Sequence, residues 1–245
     1  MEWAAAAEAR RFKPDVVLSN SVEVAVPRVP TALIVHDLNF GKAGRDAGTA
    51  VREQLYRAQG RRVAAVVTVS EATKADLLRI GVPAERITVI GNGVDIRRFV
   101  PRASRPLPAV APKGMSLAPQ PPVRFVYPGR ILPGKGQHAA IDALGRMRPD
   151  QRYRAHLDIV GAVADRIYAD QLRVQAFNLP VSFATDVDDI VPWYQDADVI
   201  LFPTLMTEGF GFTAVEGMAC GKPVIYYDQP AIREATGGIG VPVPR

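Results

Sequence analysis

Two glutamates, eight positions apart, are the residues of this chain best placed to do chemistry. Glu208 follows a predicted strand that ends at Thr204, and Glu216 falls inside the helix predicted to come next. The segment between them contains Gly209-Phe210-Gly211, which can turn backbone N–H groups toward a bound hydroxyl or oxyanion. A carboxylate accepts two hydrogen bonds from a vicinal diol of the kind that ribose and hexoses present. The pattern therefore predicts a site for sugar hydroxyl groups.

The same pair allows other interpretations. Glu208 could cap the helix while Glu216 lies on its solvated face. The small residues that follow Glu216, namely Gly217, Ala219 and Gly221, instead indicate close packing of that face. Paired carboxylates also carry out glycoside hydrolysis.

A second group of residues lies in the segment PGRILPGKGQH, 128–138. A strand is predicted to end just before this segment and a helix to begin within it, so that Arg130 and Lys135 flank the free N–H groups of a helix start. Arginine can bind a phosphate bidentately and lysine adds a point charge, which together suit a diphosphate. Three glycines allow the backbone to approach a ligand closely: Gly129, Gly134 and Gly136. The spacing is neither that of a P-loop nor that of the dinucleotide fingerprint, and an ordinary basic loop is the alternative.

Short apolar runs alternate with helical stretches along the chain. Strands are predicted at 15–20, 31–37, 64–70, 87–92, 123–129, 156–161, 198–204 and 222–228. Helices are predicted at 48–62, 71–80, 136–147, 164–176 and 213–220. This alternation indicates an α/β fold whose parallel sheets are covered on both faces. Ligands of such folds bind at the carboxyl ends of the strands, so we expect the chemistry there, in a cleft between two lobes.

A proline-rich segment divides the chain. Residues 101–122 contain seven prolines and no regular hydrophobic pattern, as in a linker. The predicted organisation is a partial first lobe at 1–100, the linker at 101–122 and a second lobe at 123–245.

The amino-acid composition indicates the cellular compartment and argues against disulfides, a metal site and a membrane span. Among 245 residues there is one cysteine, Cys220, so no intramolecular disulfide forms, as is usual in the cytoplasm, where we expect this protein. Three scattered histidines and one cysteine lack the spacing of metal ligands. No apolar run reaches the roughly 18–20 residues of a membrane span. Residues 1–15 are rich in alanine but carry several charges, which predicts an amphipathic helix rather than a signal peptide.

Charge is distributed unevenly between the halves of the chain. Residues 1–122 contain 18 Lys and Arg against 11 Asp and Glu (+7), whereas residues 123–245 contain 12 against 14 (−2). A basic first half favours an anionic partner, such as nucleic acid, an anionic membrane surface or a lipid-phosphate acceptor there. No basic patch is interleaved with aromatic residues, which argues against nucleic acid. A solvated, arginine-rich surface is the alternative.

The motifs together resemble the retaining GT-B glycosyltransferases of family 4. The signature of that family is two glutamates separated by seven residues, and E-G-F-G-F-T-A-V-E at 208–216 fits it. The resemblance continues in A-C-G-K-P-V at 219–224, V-S-E-A-T-K-A-D-L at 69–77, I-G-N-G-V-D at 90–95 with Phe99, and Y-P-G-R-I-L-P-G-K-G at 127–136. It implies two Rossmann-like lobes, the first incomplete and the second lacking its C-terminal helices.

The resemblance also implies a role for each site residue. Arg130 and Lys135 would bind the diphosphate of a nucleotide-sugar donor and stabilise the leaving nucleotide without a metal. Glu216 would hold the ribose hydroxyls, and Glu208 the transferred sugar. His36 lies in IVHD at the end of a first-lobe strand. From the residues alone a structural histidine is the favoured interpretation, but the resemblance implies that His36 faces the donor sugar. The remaining donor-binding residues implied are Gly129, Gly209, Phe210, Gly211, Phe212 and Thr213.

The reaction implied is transfer of a hexosyl group from a UDP-, GDP- or ADP-linked donor to a hydroxyl acceptor, with retention at the anomeric carbon. The acceptor classes implied are a polysaccharide, as in polysaccharide biosynthesis, a glycolipid or a similar compound. Because the diphosphate site lies beside the two glutamates, hydrolysis is the poorer interpretation. The alternatives are a truncated nucleotide-sugar-binding subunit that needs a partner chain, and a related phosphorylase or synthase. Family members are longer at both ends, so we expect a truncated chain whose uncovered sheet edges favour association, including with a second copy. Thr185 stands where the family often has glycine near the base, which leaves the base preference open.

Overall fold

The computed structural model describes residues 8, 11–22, 29–38, 47–102 and 121–245. Most of the predicted linker and of the predicted N-terminal helix lies outside these residues. The described chain is an α/β protein with two parallel sheets, which confirms the predicted fold class. It divides into two compact units.

The first unit is built on a four-stranded parallel sheet. Its strands, in sequence and in spatial order, are β1 (Val17–Ser19), β2 (Thr31–Val35), β3 (Ala65–Thr68) and β4 (Ile87–Val89). Two helices connect them, α1 (Ala47–Arg62) and α2 (Glu71–Arg79). Apolar side chains that alternate along β2 and β3 meet the helices in one core, whose most buried members include Leu33, Val35, Val66, Leu77 and Val82. Burial of these β-branched and aliphatic residues explains why the runs form strands.

The second unit contains a six-stranded parallel sheet. Its strands are β5 (Val123–Pro128), β6 (Ala155–Val160), β7 (Val181–Ala184), β8 (Val199–Phe202), β9 (Val224–Tyr227) and β10 (Val241–Val243), in the spatial order β10-β9-β8-β5-β6-β7. Its helices are α3 (Gln137–Arg146), α4 (Pro149–Arg152), α5 (Arg166–Gln175), α6 (Val191–Asp196) and α7 (Phe212–Ala219). The core beneath α3 and α5 includes the fully buried Tyr127, Ile131, Ile141 and Ile159.

All eight predicted strands and the five helices predicted between residues 48 and 220 have counterparts in these two sheets and their helices. The pattern missed β7 and β10, which are short and lie at the two edges of the second sheet. The strand β10 is Val-Pro-Val, and proline is tolerated at a sheet edge because its missing N–H removes no interior hydrogen bond. Strand β7 ends directly before Thr185, which therefore starts the loop at the carboxyl end of that strand.

The contacts divide the chain differently from the predicted boundary at residue 100. Residues 93–102 belong with the second unit, where Phe99 is buried and its ring meets that of Tyr194 edge-on at 5.5 Å. Conversely, the first unit includes two short segments from the second half of the chain. These are Thr207–Phe210 and the helix α8 (Pro230–Ala235).

Helix α8 brings a carboxylate to the start of α2. Both oxygens of Glu234 lie 2.9 Å from the backbone N of Glu71, and one lies 3.3 Å from that of Ala72. Ser70, the N-cap, accepts from the backbone N–H of Thr73. The first N–H groups of a helix lack intrahelical partners and carry partial positive charge, so a carboxylate there is stabilising.

We predict that Glu234→Ala lowers the stability of the protein by about 1 kcal/mol, because α2 loses a capping carboxylate. Thermal or urea unfolding measures the change. Asp142→Ala serves as a control, since it removes an exposed carboxylate that pairs only across one helical turn with Arg146, and we expect a few tenths of a kcal/mol. Equal effects of the two substitutions would contradict the capping role.

Candidate functional site

The loop after β5 is fixed by the loop after β6. Gly129 donates its backbone N–H to the carbonyl of Val160 at 2.8 Å. A Cβ added at Gly161, whose φ is +145°, would overlap the carbonyl of Gly129. The two loops therefore lie in direct backbone contact at the carboxyl edge of the second sheet.

Ile131 anchors the same loop below Arg130. The Ile131 side chain is fully buried, its N–H donates to Ala162, and its carbonyl accepts from Ala164 and Asp165. The carbonyl of Arg130 accepts from Nε2 of the buried Gln137 at 2.8 Å. Because the backbone is held on both sides, the exposed side chain of Arg130 projects from a fixed base at this edge.

Lys135 ends the short 3₁₀ turn Pro133–Lys135 that leads into α3. Its carbonyl accepts a hydrogen bond from the hydroxyl of Tyr127, and its Nζ lies 5.8 Å from the ring centre of Phe202. The next residue, Gly136, has φ +77°, and a Cβ there would overlap the carbonyl of Pro203. Glycine is required at this position because both the backbone conformation and the space exclude a side chain.

Helix α7 begins beside the Arg130 loop. Gly211, at φ +100°, forms its N-terminal cap, and the hydroxyl of Thr213 makes a long hydrogen bond of 3.4 Å to the carbonyl of Pro128. The first turn of a helix presents N–H groups that have no intrahelical partner, together with partial positive charge. The structure thus brings Gly129, Arg130 and the start of α7 to one edge of the second sheet.

Glu216 is half-buried on α7 and held by a tyrosine that the sequence reasoning missed. The hydroxyl of Tyr194 donates to Oε2 of Glu216 at 2.6 Å, and the Tyr194 side chain is itself 1% exposed. Close packing of α7 on the sheet is enforced by Gly217, where a Cβ would lie 2.9 Å from Ile200. Glu216 therefore does not lie on a solvated helix face.

Opposing effects act on the charge of Glu216. Burial raises the pKa of Glu216, while the hydrogen bond from Tyr194 and the positive charge of Arg98 lower it, and the net shift is upward. Burial, and the neighbouring Glu216 carboxylate, raise the pKa of Tyr194 well above its ordinary value. Tyr194 therefore remains a proton donor throughout the range in which Glu216 titrates.

In the first unit, the end of β2 meets the segment Thr207–Phe210, which contains Glu208 and is called the glutamate loop below. Gly209 is buried, and a Cβ there would overlap the carbonyl of His36 and lie 3.0 Å from Cβ of Asp37. The structure thus brings the backbones of His36 and Gly209 together. The side chain of His36 is exposed, while those of Glu208 and Phe210 on either side of Gly209 are partly buried.

The other two histidines pair elsewhere in the second unit. Nδ1 of His138 lies 2.8 Å from the hydroxyl of Tyr168, and Nε2 of His156 lies 2.9 Å from the hydroxyl of Ser182. Cys220 is buried and is not in a disulfide. Within the described parts of the chain, no three His, Cys, Asp or Glu residues are grouped as metal ligands. Across those same parts, none of the helices is long and apolar enough to cross a membrane.

Comparison with known proteins identifies the family. Residues 122–244 match the family described as glycosyl transferases group 1, and residues 2–98 match glycosyltransferase family 4. The chain belongs to the group 1 glycosyltransferases. A D-inositol 3-phosphate glycosyltransferase of Jonesia denitrificans is 32% identical over 171 residues, and a glycogen synthase of Mycobacterium tuberculosis is 27% identical over 245 residues.

Solved structures share the fold of this glycosyltransferase chain. Anabaena Alr3699/HepE, in complex with UDP and glucose, superposes with a TM-score of 0.75 at 21% identity over 94% of the chain. Sucrose-phosphate synthase of Thermosynechococcus elongatus superposes with a TM-score of 0.73 at 24% identity over 97% of the chain. These similarities show the GT-B fold that the sequence predicted.

The glycosyltransferase chain spans part of the length of its relatives. It covers 64% of the HepE chain, 40% of the Jonesia protein and 55% of the glycogen synthase. Of its own residues, 64% align with the Jonesia protein and 92% with the glycogen synthase.

We predict that Gly209→Ala lowers stability by more than about 2 kcal/mol or displaces the 207–210 loop, because the new methyl group overlaps the carbonyl of His36. Gly91→Ala is the matched control, since a Cβ there meets nothing within 4 Å. Thermal unfolding compares the two. If they unfold at the same temperature, with the same protease sensitivity of the loop, the packing of Gly209 on His36 is refuted.

We predict that Tyr194→Phe raises the pKa of Glu216 further, because the hydrogen bond that stabilises the carboxylate is lost while burial remains. Titration of the Glu216 carboxyl carbon by NMR measures the shift. A raised folded-state pKa contributes stability at low pH that is lost as the pH rises through it. The variant should therefore be destabilised by about 1–2 kcal/mol at pH 7 and by less below the ordinary pKa of glutamate.

Tyr226→Phe provides the control for this titration. Its hydroxyl lies 3.4 Å from that of Thr236 in the core, so it pairs with a hydroxyl group rather than with a carboxylate. We expect its destabilisation to be independent of pH between 4 and 7. A Tyr194→Phe variant with the same pH-independent behaviour would show that Tyr194 does not stabilise the charge of Glu216.

Proposed function

We propose that this protein is a retaining glycosyltransferase that moves a hexosyl group from a nucleotide-sugar donor to a hydroxyl acceptor. The contact of Thr213 with Pro128 carries the proposal, because it joins the Arg130 loop to the start of α7 at the carboxyl edge of the second sheet. Ligands of parallel α/β folds bind at such an edge. A diphosphate and a ribose need this combination of cationic side chains, helix N–H groups and a carboxylate.

The donor diphosphate is assigned to Arg130 and Lys135. The backbone carbonyls of both residues are held, by Gln137 and by Tyr127 respectively, so binding a phosphate requires only the two side chains to be ordered. As the bond to the sugar breaks, negative charge develops on the leaving phosphate. The two cations stabilise that charge, and no metal is required in this scheme.

The hydroxyl groups are assigned to the two glutamates. Glu216 would accept hydrogen bonds from the ribose, with one of its oxygens already engaged by Tyr194. Glu208 would accept from the transferred sugar, supported by backbone N–H groups of Phe210, Gly211 and Phe212. Gly129, Gly209 and Thr213 complete the donor-binding set.

His36 is assigned to the donor sugar, since its backbone lies against the loop that contains Glu208. Neither glutamate needs to act as a covalent nucleophile. In a front-face reaction the leaving phosphate takes the proton of the acceptor hydroxyl as the new glycosidic bond forms on the same side, which retains the anomeric configuration. HepE was solved with UDP and glucose and with UDP-glucose, which supports a nucleotide-activated hexose as the donor class.

An anionic acceptor fits the charge of the first half of the chain. Residues 1–122 carry a net charge of +7. One relative is named for D-inositol 3-phosphate, an anionic compound. We propose a hydroxyl acceptor with a phosphate, free or lipid-linked, used in the cytoplasm or at the inner membrane face.

A second candidate is donor binding without turnover by this chain alone. The residues assigned to the donor could bind a nucleotide sugar whether or not an acceptor is bound by the same chain. Binding and turnover must therefore be measured separately.

We predict that one of UDP, GDP or ADP binds the purified protein and that Lys135→Ala weakens it about 10- to 100-fold, because a charge-assisted contact to phosphate is lost. Isothermal titration measures the affinities. Arg146→Ala, which removes an exposed cation at the opposite end of α3, should leave the affinity unchanged. If Lys135→Ala binds as tightly as the wild type, the diphosphate assignment fails.

A measurement of turnover distinguishes an active glycosyltransferase from a chain that only binds the donor. The matching nucleotide-glucose is incubated with phosphorylated polyol acceptors, and release of the nucleotide is followed. The proposal expects turnover that His36→Ala and Glu208→Ala reduce at least about 100-fold while nucleoside diphosphate binding persists. Binding with no release above background by wild type or variants selects the second candidate.

A further inference from the structure

Gln229, two residues after the end of β9, has a buried polar side chain to which no role has been given above. Its side chain is 4% exposed. Its Nε2 donates to the carbonyl of Thr204 at 2.9 Å and to that of Met206 at 3.0 Å. One amide group thus binds two carbonyls of the loop that leaves β8.

That loop in turn holds the turn that contains Lys135. The backbone N–H groups of Leu205 and Met206 both donate to the carbonyl of Gly134 at 2.9 Å. A Cβ at Gly134 would lie 2.6 Å from Cγ of Met206, so the two segments are in close contact. The connection runs without a break from Gln229 through 204–206 to Gly134, the neighbour of Lys135.

The chemistry of the amide explains why glutamine suits this position. Its NH₂ group has two donors, which matches two carbonyl acceptors. A glutamate would set a charge against those carbonyls, and an apolar side chain would leave them without these donors. Pro230 follows directly, and a residue before proline is restricted to extended backbone, which limits how far Gln229 can move.

We propose that Gln229 is a positioning residue of the donor site. Its amide group holds residues 204–206, which in turn hold the turn that contains Lys135. The same residues 204–206 lead directly into the segment that contains Glu208. This inference rests on the proposed function for its link to donor binding, whereas the bracing itself does not depend on any ligand.

The test compares Gln229→Met with the wild type and with Gln175→Met. Gln175 also donates its Nε2 to a backbone carbonyl, that of His138 at 2.9 Å, but on α5 and at an exposed site. Two quantities are measured: hydrogen exchange of the Leu205 and Met206 amides, and the affinity for UDP, GDP and ADP.

We expect Gln229→Met to speed the exchange of those two amides at least about tenfold and to weaken the bound nucleotide about tenfold, with neither change in Gln175→Met. Unchanged exchange in Gln229→Met overturns the bracing, whatever the nucleotide does. Faster exchange with unchanged affinity overturns the positioning role. If the wild type binds none of the three nucleotides, the proposed function fails instead, and the exchange rates still decide whether Gln229 braces the loop.

Discussion

Direct backbone contact between loops at the carboxyl edge of the second sheet is the constraint on which the rest of the site depends. The turn before α3 lies on the carbonyl of Pro203, which is possible because residue 136 is glycine. The carbonyl of Gly134 then accepts from Leu205 and Met206. Buried loops must satisfy their backbone polar groups, and here they do so through each other. Arg130 and Lys135, the residues proposed to bind the diphosphate, consequently have their backbone held at this edge although they belong to loops.

At Glu216, burial of the carboxylate is opposed by a hydrogen bond from Tyr194. Close packing at Gly217 draws α7 onto the sheet and half-buries the carboxylate, which raises its pKa. Tyr194 compensates with a short hydrogen bond from a fully buried ring that Phe99 supports. A carboxylate held in this way is oriented before a ligand arrives, so a diol could bind without reordering the side chain.

Local patterns in the sequence were sufficient for eight of the ten strands in the described chain, whereas the short edge strands β7 and β10 were missed. Runs of valine and isoleucine marked the central strands, and the spacing of Glu208 and Glu216 marked the glutamate loop. The supporting residues were missed because their partners are distant in sequence. Tyr194 meets a carboxylate 22 positions away, and Gln229 meets a carbonyl 25 positions away. Nothing in the local pattern of either residue distinguishes such a contact from ordinary core packing. Nor does the local pattern around Phe99 indicate that its ring contacts Tyr194.

In the proposed donor site, Glu216 binds the ribose of a nucleotide at this edge. The most direct measurement is a cycle in which the affinity of the nucleoside diphosphate that binds and of its 2′,3′-dideoxy analogue is determined for the wild type and for Glu216→Ala. The account predicts that the wild type loses about 10- to 100-fold affinity when the ribose hydroxyls are removed, and that Glu216→Ala binds both compounds nearly equally. Equal binding of the two by the wild type, or full discrimination retained in Glu216→Ala, would contradict it.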